Sequence, residues 1–254
     1  MRAAGLVGRH RRHGERTIAT RKVAGWAVHL RTSLVVDAMR DAVRLPGLEA
    51  DRADVAGVDL ATQTRALIEE ITSRDLTDVV LVAHSGGSFP AYETLDAVPE
   101  RIARIVYVDA GPVGDGTALL DVIDPAERTR AEAEAAEHGG RYTNAFDPTA
   151  DPEVLDGLSD AHLAVLRARA VPQPYAVAAS PLRVSNEARL KVPAHLITCT
   201  FPLDQVQAMI AAEHPFFAEL VKAESFDTRA LPTGHWPMFS RPAELAALLD
   251  EIAG

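Results

Sequence analysis

VVLVAHSGG, residues Val79–Gly87, is the most informative stretch of this chain. Its first five residues, Val79–Ala83, form an apolar run that is too short for a helix and rich in β-branched side chains. Such a run is typical of a strand buried on both faces of a parallel sheet. It ends in His84-Ser85-Gly86-Gly87, and a segment compatible with a helix follows. The pattern predicts a strand, a sharp turn with a central serine, and a helix.

This layout is that of a nucleophile elbow, in which the turn holds the serine Oγ clear of the backbone at the carboxyl end of a central strand. Small residues two before and two after the serine let strand and helix pass closely. Here they are Ala83 and Gly87, so the usual G-x-S-x-G becomes A-H-S-G-G. The alternative is a strand that ends in a small-residue turn with an incidental serine. Ser85 is the candidate nucleophile.

Composition and charge narrow the classes of function. The 254 residues suffice for one large α/β domain. A net charge of −10 argues against a nucleic-acid partner, and a single cysteine, Cys199, excludes an internal disulfide and a Cys-based metal site. No apolar stretch reaches 18 residues, so no membrane span is predicted. We expect a cytoplasmic protein.

Residues 1–44 differ from the rest of the chain in charge. Residues 1–31 contain eight Arg or Lys and one acid, Glu15. Targeting peptides share this bias, but no apolar h-region follows Arg11-Arg12, so the segment is not a secretory signal. A disordered basic arm, divergent sequence or a wrongly assigned start are the favoured interpretations.

The rest of the chain predicts alternating strands and helices. A strand over Ile102–Val108 follows the elbow helix, and this strand–helix–strand unit makes a right-handed parallel crossover. Residues 111–190 are irregular and mainly helical, with the composition of a lid. The remaining predictions are helix caps at Asp59, Asp124 and Ser159, a strand around Val192–Cys199, a helix near Asp204–Leu220, a strand around Glu224–Leu231, and a last helix capped by Ser240.

Three features make the sequence resemble the α/β-hydrolase fold family over roughly residues 45–254: the elbow around Ser85, the order serine, acid, histidine, and a histidine loop before a C-terminal helix. The ending GHWPMFSRPAEL, from Gly234 to Leu245, is similar to that of small cofactor-free esterases. That group includes plant ester hydrolases and hydroxynitrile lyases. The resemblance implies a mostly parallel central sheet flanked by helices, with a helical lid at about 111–190.

A serine hydroxyl needs a base within hydrogen-bond reach, and an imidazole titrates near neutral pH. His235 is the candidate base, because its loop matches the family position. His84 adjoins Ser85 but is expected to be directed away by the strand–turn geometry. The other histidines lie in the basic arm, the insertion or other elements: His10, His13, His29, His138, His162, His195 and His214.

Two carboxylates are candidates for the acid that orients the base. In most members of the family it follows the strand that corresponds to Ala194–Cys199, but here Thr200-Phe201-Pro202 stands there and the first carboxylate is Asp204. Asp109 instead ends the strand after the elbow helix, where certain haloalkane dehalogenases place their acid. Asp109 is favoured over Asp204. Asp109 could also serve only as a cap or a loop-ordering carboxylate.

An oxyanion hole completes such a site. One donor should be the backbone N–H of Gly86, the residue after the nucleophile. The second donor is not evident, and Gly5–Gly8 and Gly25-Trp26 are the nearest candidates. No glycine-rich phosphate motif opens a helix and no His/Asp/Glu cluster has metal-ligand spacing, so no cofactor and no metal are expected.

The sequence predicts a cofactor-independent serine hydrolase that cleaves a small carboxylic ester, lactone or related acyl substrate through an acyl-enzyme on Ser85. One alternative is a carbon–carbon lyase of the hydroxynitrile-lyase type on the same scaffold. Another is a non-catalytic ligand-binding member, suggested by the missing oxyanion loop. The expected partner is a small acyl molecule, not nucleic acid or a membrane, and the sequence does not indicate an oligomeric state.

Overall fold

The computed structural model describes residues 4–9, 41–49, 54–144 and 146–254. Within these residues a six-stranded sheet has the order β2-β1-β3-β4-β7-β8, and β5 and β6 form a separate antiparallel pair. The strands are β1 (Ala4–Arg9), β2 (Asp41–Ala42), β3 (Thr77–His84), β4 (Ile102–Val108), β5 (Arg141–Tyr142), β6 (Gln173–Pro174), β7 (Ala194–Thr198) and β8 (Phe226–Ala230).

Helices connect the strands and cover the sheet. The predicted caps at Asp59, Asp124 and Ser159 are confirmed, since each side chain accepts a hydrogen bond from a first-turn N–H. The helices are α1 (Leu60–Ser73), α2 (Ser88–Ala97), α3 (Pro125–Glu137), α4 (Asp160–Arg169), α5 (Tyr175–Ala179), α6 (Leu203–Ala211), α7 (Pro237–Ser240) and α8 (Pro242–Ala253).

The predicted α/β fold with a mostly parallel sheet is confirmed. β3, β4, β7 and β8 run parallel, whereas β1 runs antiparallel to β3. Alternate residues of β3 enter two cores, because successive side chains of a strand point to opposite faces. Leu81 and Ala83 belong to the core that includes residues of α1 and α2, and Val80 and Val82 belong to the core that includes residues of α8.

Two local predictions about helices near the site were wrong. The predicted cap Ser240 is the last residue of α7, where its hydroxyl donates to the Trp236 carbonyl and accepts from Thr233 Oγ1. The helix predicted near Asp204–Leu220 ends at Ala211. Glu213 adopts a positive φ of 54°, and His214 precedes a proline, which disfavours helical geometry there.

Two segments bear on the predicted domain boundaries. Residues 4–9 and 41–42 lie inside the basic segment 1–44, yet they pair with the sheet as β1 and β2. The remainder of 1–44 lies outside the described residues, apart from the two that follow β2. The chain between β4 and β7, where an insertion was predicted at about 111–190, contains α3, α4 and α5 together with the β5–β6 pair. Its function as a lid stays a prediction.

Candidate active site

Strand register places the candidate residues at one edge of the sheet. His84 is paired with Val108, so Ser85 and Asp109 leave neighbouring parallel strands at the same level. Val108 is paired with Ile197 on the next strand, and Thr198 is paired with Ala230 beyond it. The carboxyl ends of β3, β4, β7 and β8 therefore lie side by side, which is where ligands bind in open α/β sheets.

Ser85 lies in the sharp turn that the sequence predicted. Its φ is 53°, an unusual conformation for a residue with a Cβ and one that costs roughly 1–3 kcal/mol. Ser85, Gly86 and Gly87 form a single 3₁₀ turn that leads directly into α2. N–H groups in the first turn of a helix have no partner inside the helix, and the N–H of Gly86 belongs to this turn, directly after β3. The serine itself is half-buried.

The structure brings His235 and Asp109 together. His235 Nδ1 lies 2.6 Å from Asp109 Oδ2, although the two residues are 126 positions apart. The histidine side chain is 22% exposed and the carboxylate 8% exposed, so this contact is largely shielded from water. A carboxylate oxygen only accepts, so Nδ1 carries the proton and donates it. Nε2 of a neutral His235 is therefore left as a proton acceptor.

Asp109 is held by three further donors at the end of β7. The backbone N–H groups of Cys199 and Thr200 donate to Oδ1 at 3.0 Å, and Thr200 Oγ1 donates to Oδ2 at 2.6 Å. Burial by itself would raise the pKa of Asp109. The hydrogen bond and charge of His235, together with the hydrogen bonds from Thr200, lower this pKa below its ordinary value. Asp109 is therefore a carboxylate at neutral pH.

The main chain of His235 is also fixed on both sides. Its N–H donates to the Val154 carbonyl at 2.8 Å, and the N–H of Gly234 donates to the Asp156 carbonyl at 3.2 Å. Its own carbonyl lies 2.6 Å from His84 Nε2. The insertion therefore holds one side of the histidine loop, and the end of β3 holds the other.

Gly234 is required by close approach of the insertion backbone. A Cβ at this position would lie 2.6 Å from the Asp156 carbonyl oxygen and 2.7 Å from the Val154 carbonyl oxygen. We expect Gly234→Ala to push the two segments apart, to destabilise the protein by about 1–3 kcal/mol, and to lower kcat about tenfold or more by displacing His235. Urea unfolding measures the loss of stability. Turnover of an activated ester, the substrate class that the sequence predicts, measures the loss of kcat in the folded protein.

Gly114→Ala is the matched control for Gly234→Ala. The nearest atom to a Cβ at Gly114 is 4.0 Å away, and its φ is not in the left-handed region. We expect this variant to keep both stability and turnover. Equal turnover in the two variants would contradict the account of Gly234.

The other sequence candidates lie elsewhere. Asp204 lies in the first turn of α6, while Asp109 makes the contact with His235. Gly5–Gly8 lies inside β1 and not in a loop after a strand, and Gly25-Trp26 lies outside the described residues. In the described part of the chain, no group of three or more His, Cys, Asp or Glu side chains is arranged to hold a metal ion. No helix of that same part is long and apolar enough to cross a membrane.

Sequence reasoning missed two supports of the site. Thr200 was noted only as the residue that stands where an acid was expected, yet it donates twice to Asp109. A hydroxyl residue in place of a missing carboxylate was the available signal. Val154 contacts His235 through its carbonyl group, which any residue would provide, so no side-chain pattern could have indicated it.

Comparison with known proteins agrees with the predicted fold. Residues 13–248 match the sequence profile of the alpha/beta hydrolase family. The chain is 33% identical over 93 residues to the lipase LipV of Mycobacterium tuberculosis. That match covers 35% of this chain and 34% of the lipase, so the chain spans about a third of the length of this curated relative.

Solved structures with the same fold include an extracellular α/β-hydrolase and a methylesterase. The first is an extracellular α/β-hydrolase from a Paenibacillus species, described as structurally and functionally homologous to tobacco Salicylic Acid Binding Protein 2. It superposes with a TM-score of 0.66 at 21% identity, over 84% of this chain and 86% of that one. A methylesterase from Arabidopsis superposes with a TM-score of 0.57 at 18% identity, over 84% and 85%. At these identities the likeness shows the fold.

Proposed function

The chain belongs to the alpha/beta hydrolase family, and we propose that it is a cofactor-independent serine hydrolase that cleaves a small carboxylic ester, lactone or related acyl substrate. The observation that carries the proposal is the 2.6 Å contact between His235 Nδ1 and Asp109 Oδ2, beside a serine at φ 53° on the neighbouring strand end. Lipase and esterase chemistry among the similar proteins supports the same reaction class.

Ser85 is the nucleophile in this proposal. Nε2 of His235 takes the hydroxyl proton as Ser85 Oγ attacks the substrate carbonyl carbon. The carbonyl oxygen becomes an oxyanion, which accepts a hydrogen bond from the Gly86 N–H. When the tetrahedral intermediate collapses, the bond to the leaving alkoxide breaks and the imidazolium gives it the proton. Water then attacks the acyl-serine with His235 as base, which releases the acid and restores Ser85.

Asp109 orients the base and stabilises its charged form. Its hydrogen bond fixes the tautomer in which Nε2 accepts, and its negative charge offsets the positive charge that His235 gains during attack. The three donors from Cys199 and Thr200 hold the carboxylate ionised, so the proton stays on His235. Asp109 is the triad acid in this proposal, and Asp204 has no part in it.

The insertion acts as a cover over the site. Phe146, Leu155, Leu163 and Leu166 from this segment pack in one apolar cluster with Trp236 and Phe239, which follow the catalytic histidine in sequence. An apolar cover of this kind excludes water and favours the uncharged acyl part of an ester. The substrate in this proposal is therefore a small apolar ester or lactone.

Mass spectrometry of a rapidly quenched reaction tests the proposal. With p-nitrophenyl acetate as the probe, we expect a burst of p-nitrophenol and a single acetyl group on the peptide that contains Ser85. Acetylation elsewhere, or turnover without any acyl-enzyme, would contradict the mechanism. Cleavage of a cyanohydrin without acylation would point to the lyase alternative, and ligand binding without turnover of activated esters would point to a non-catalytic protein.

A further inference from the structure

His84 is a buried histidine beside the candidate site, and the mechanism above does not use it. It precedes Ser85, is 4% exposed, and places Nε2 2.6 Å from the main-chain oxygen of His235. A carbonyl oxygen only accepts, so Nε2–H of His84 is the donor. The two imidazole rings have centroids 4.6 Å apart, and the Trp236 ring centroid is 5.2 Å from that of His84.

His84 is suited to remain uncharged beside the base. Burial, together with the neighbouring His235, lowers the pKa of His84 well below its ordinary value. The hydrogen bond to the His235 carbonyl and the Asp109 carboxylate offset this only in part. A neutral donor holds the His235 carbonyl without repelling the imidazolium that forms during catalysis. A lysine or arginine in this place would oppose that charge.

We propose that His84 is a positioning residue, whose Nε2–H bond to the His235 carbonyl fixes the base relative to the nucleophile. This inference rests on the proposed serine-hydrolase function. The donor and the nucleophile are consecutive residues, so the hydrogen bond joins the turn at Ser85 directly to the histidine loop across 151 positions of sequence.

The hydrogen bond from His84 completes the support of the histidine loop. Val154 holds the N–H of His235, and Asp109 holds its Nδ1. Without the hydrogen bond from His84, the peptide between His235 and Trp236 is free to turn, and His235 Nε2 moves relative to Ser85 Oγ. Misplacement by about 1 Å costs on the order of 10²-fold in rate. A histidine that only filled space in the core would affect folding and leave the rate of the folded enzyme unchanged.

Two variants of similar shape separate these roles. His84→Gln keeps an amide N–H near the position of Nε2, whereas His84→Met has about the same length and no donor. We expect His84→Met to lower kcat about 10- to 100-fold with KM within about threefold, and His84→Gln to recover most of that loss. Circular dichroism at the assay temperature confirms that each variant is folded. If His84→Met does not fold, His84→Phe, which keeps a ring and has no donor, takes its place.

Thr94→Val is the control for losing one buried hydrogen bond. Thr94 is fully buried in α2, and its Oγ1 donates to the Pro90 carbonyl at 2.7 Å. This variant should lose stability and keep kcat. Equal kcat in the Gln and Met variants, or a loss confined to KM, would overturn the positioning role. Acylation of Ser85 in the wild-type protein is measured in the same experiment, so failure of the proposed function is recognised separately.

Discussion

Replacement of Ser85 by alanine is expected to lower kcat for p-nitrophenyl acetate by about 10⁴- to 10⁶-fold. Alanine has no hydroxyl to form the acyl-enzyme, and only binding and the oxyanion donors remain to accelerate attack by water. The variant should fold normally, because alanine carries the same Cβ as serine through the turn at φ 53°. Steady-state kinetics measure the loss of kcat. Intact-protein mass after exposure to a fluorophosphonate shows whether the variant has lost the covalent adduct.

Ser88→Ala is the matched control for the nucleophile. Ser88 lies three residues further on, at the start of α2, and is buried. The Ser88→Ala variant lacks a hydroxyl in the same part of the chain but keeps Ser85, and we expect its kcat to stay within a few-fold of wild type. Full activity in Ser85→Ala would reject the proposed mechanism, and so would a fluorophosphonate adduct at any other residue.

The second large effect is expected for Asp109→Asn, which should lower kcat about 10³- to 10⁴-fold. The asparagine side chain would offer one accepting oxygen and an NH₂ group in place of two accepting oxygens. The carboxylate now receives bonds from His235, Thr200 and Cys199, so the substitution leaves some of these donors without a partner. An NH₂ group facing His235 would favour the tautomer with the proton on Nε2, which cannot accept the serine proton.

Asp204→Asn decides between the two acids that the sequence offered. Asp204 is exposed in the first turn of α6, and we expect its variant to keep kcat within about twofold, in line with most surface substitutions. The kcat values of Asp109→Asn and Asp204→Asn, measured together at neutral pH, identify the acid that orients His235. A large loss in Asp204→Asn with a small loss in Asp109→Asn would reverse the assignment.

Local elements of this fold follow from short-range patterns. The predicted strand β3 is confirmed, and its cause is local, because five consecutive apolar residues favour burial on both faces of a sheet. The predicted caps at Asp59 and Asp124 are confirmed, since a first-turn N–H needs an acceptor and the nearby carboxylate provides it. The predicted cap at Ser240 was wrong, because its hydroxyl accepts a hydrogen bond from Thr233 and donates one to the Trp236 carbonyl in the tertiary structure.

The arrangement of the site depends on contacts that no local pattern contains. The elbow at Ser85, the family resemblance and His235 as the candidate base could be predicted from the sequence, since each is carried by a run of neighbouring residues. For the acid, the sequence favoured Asp109 over Asp204 without deciding between them. Three contacts are seen only in the folded chain: Asp109 with His235, Thr200 with Asp109, and His84 with the His235 carbonyl. These pairs lie 91 to 151 positions apart, and strand order and register bring them together.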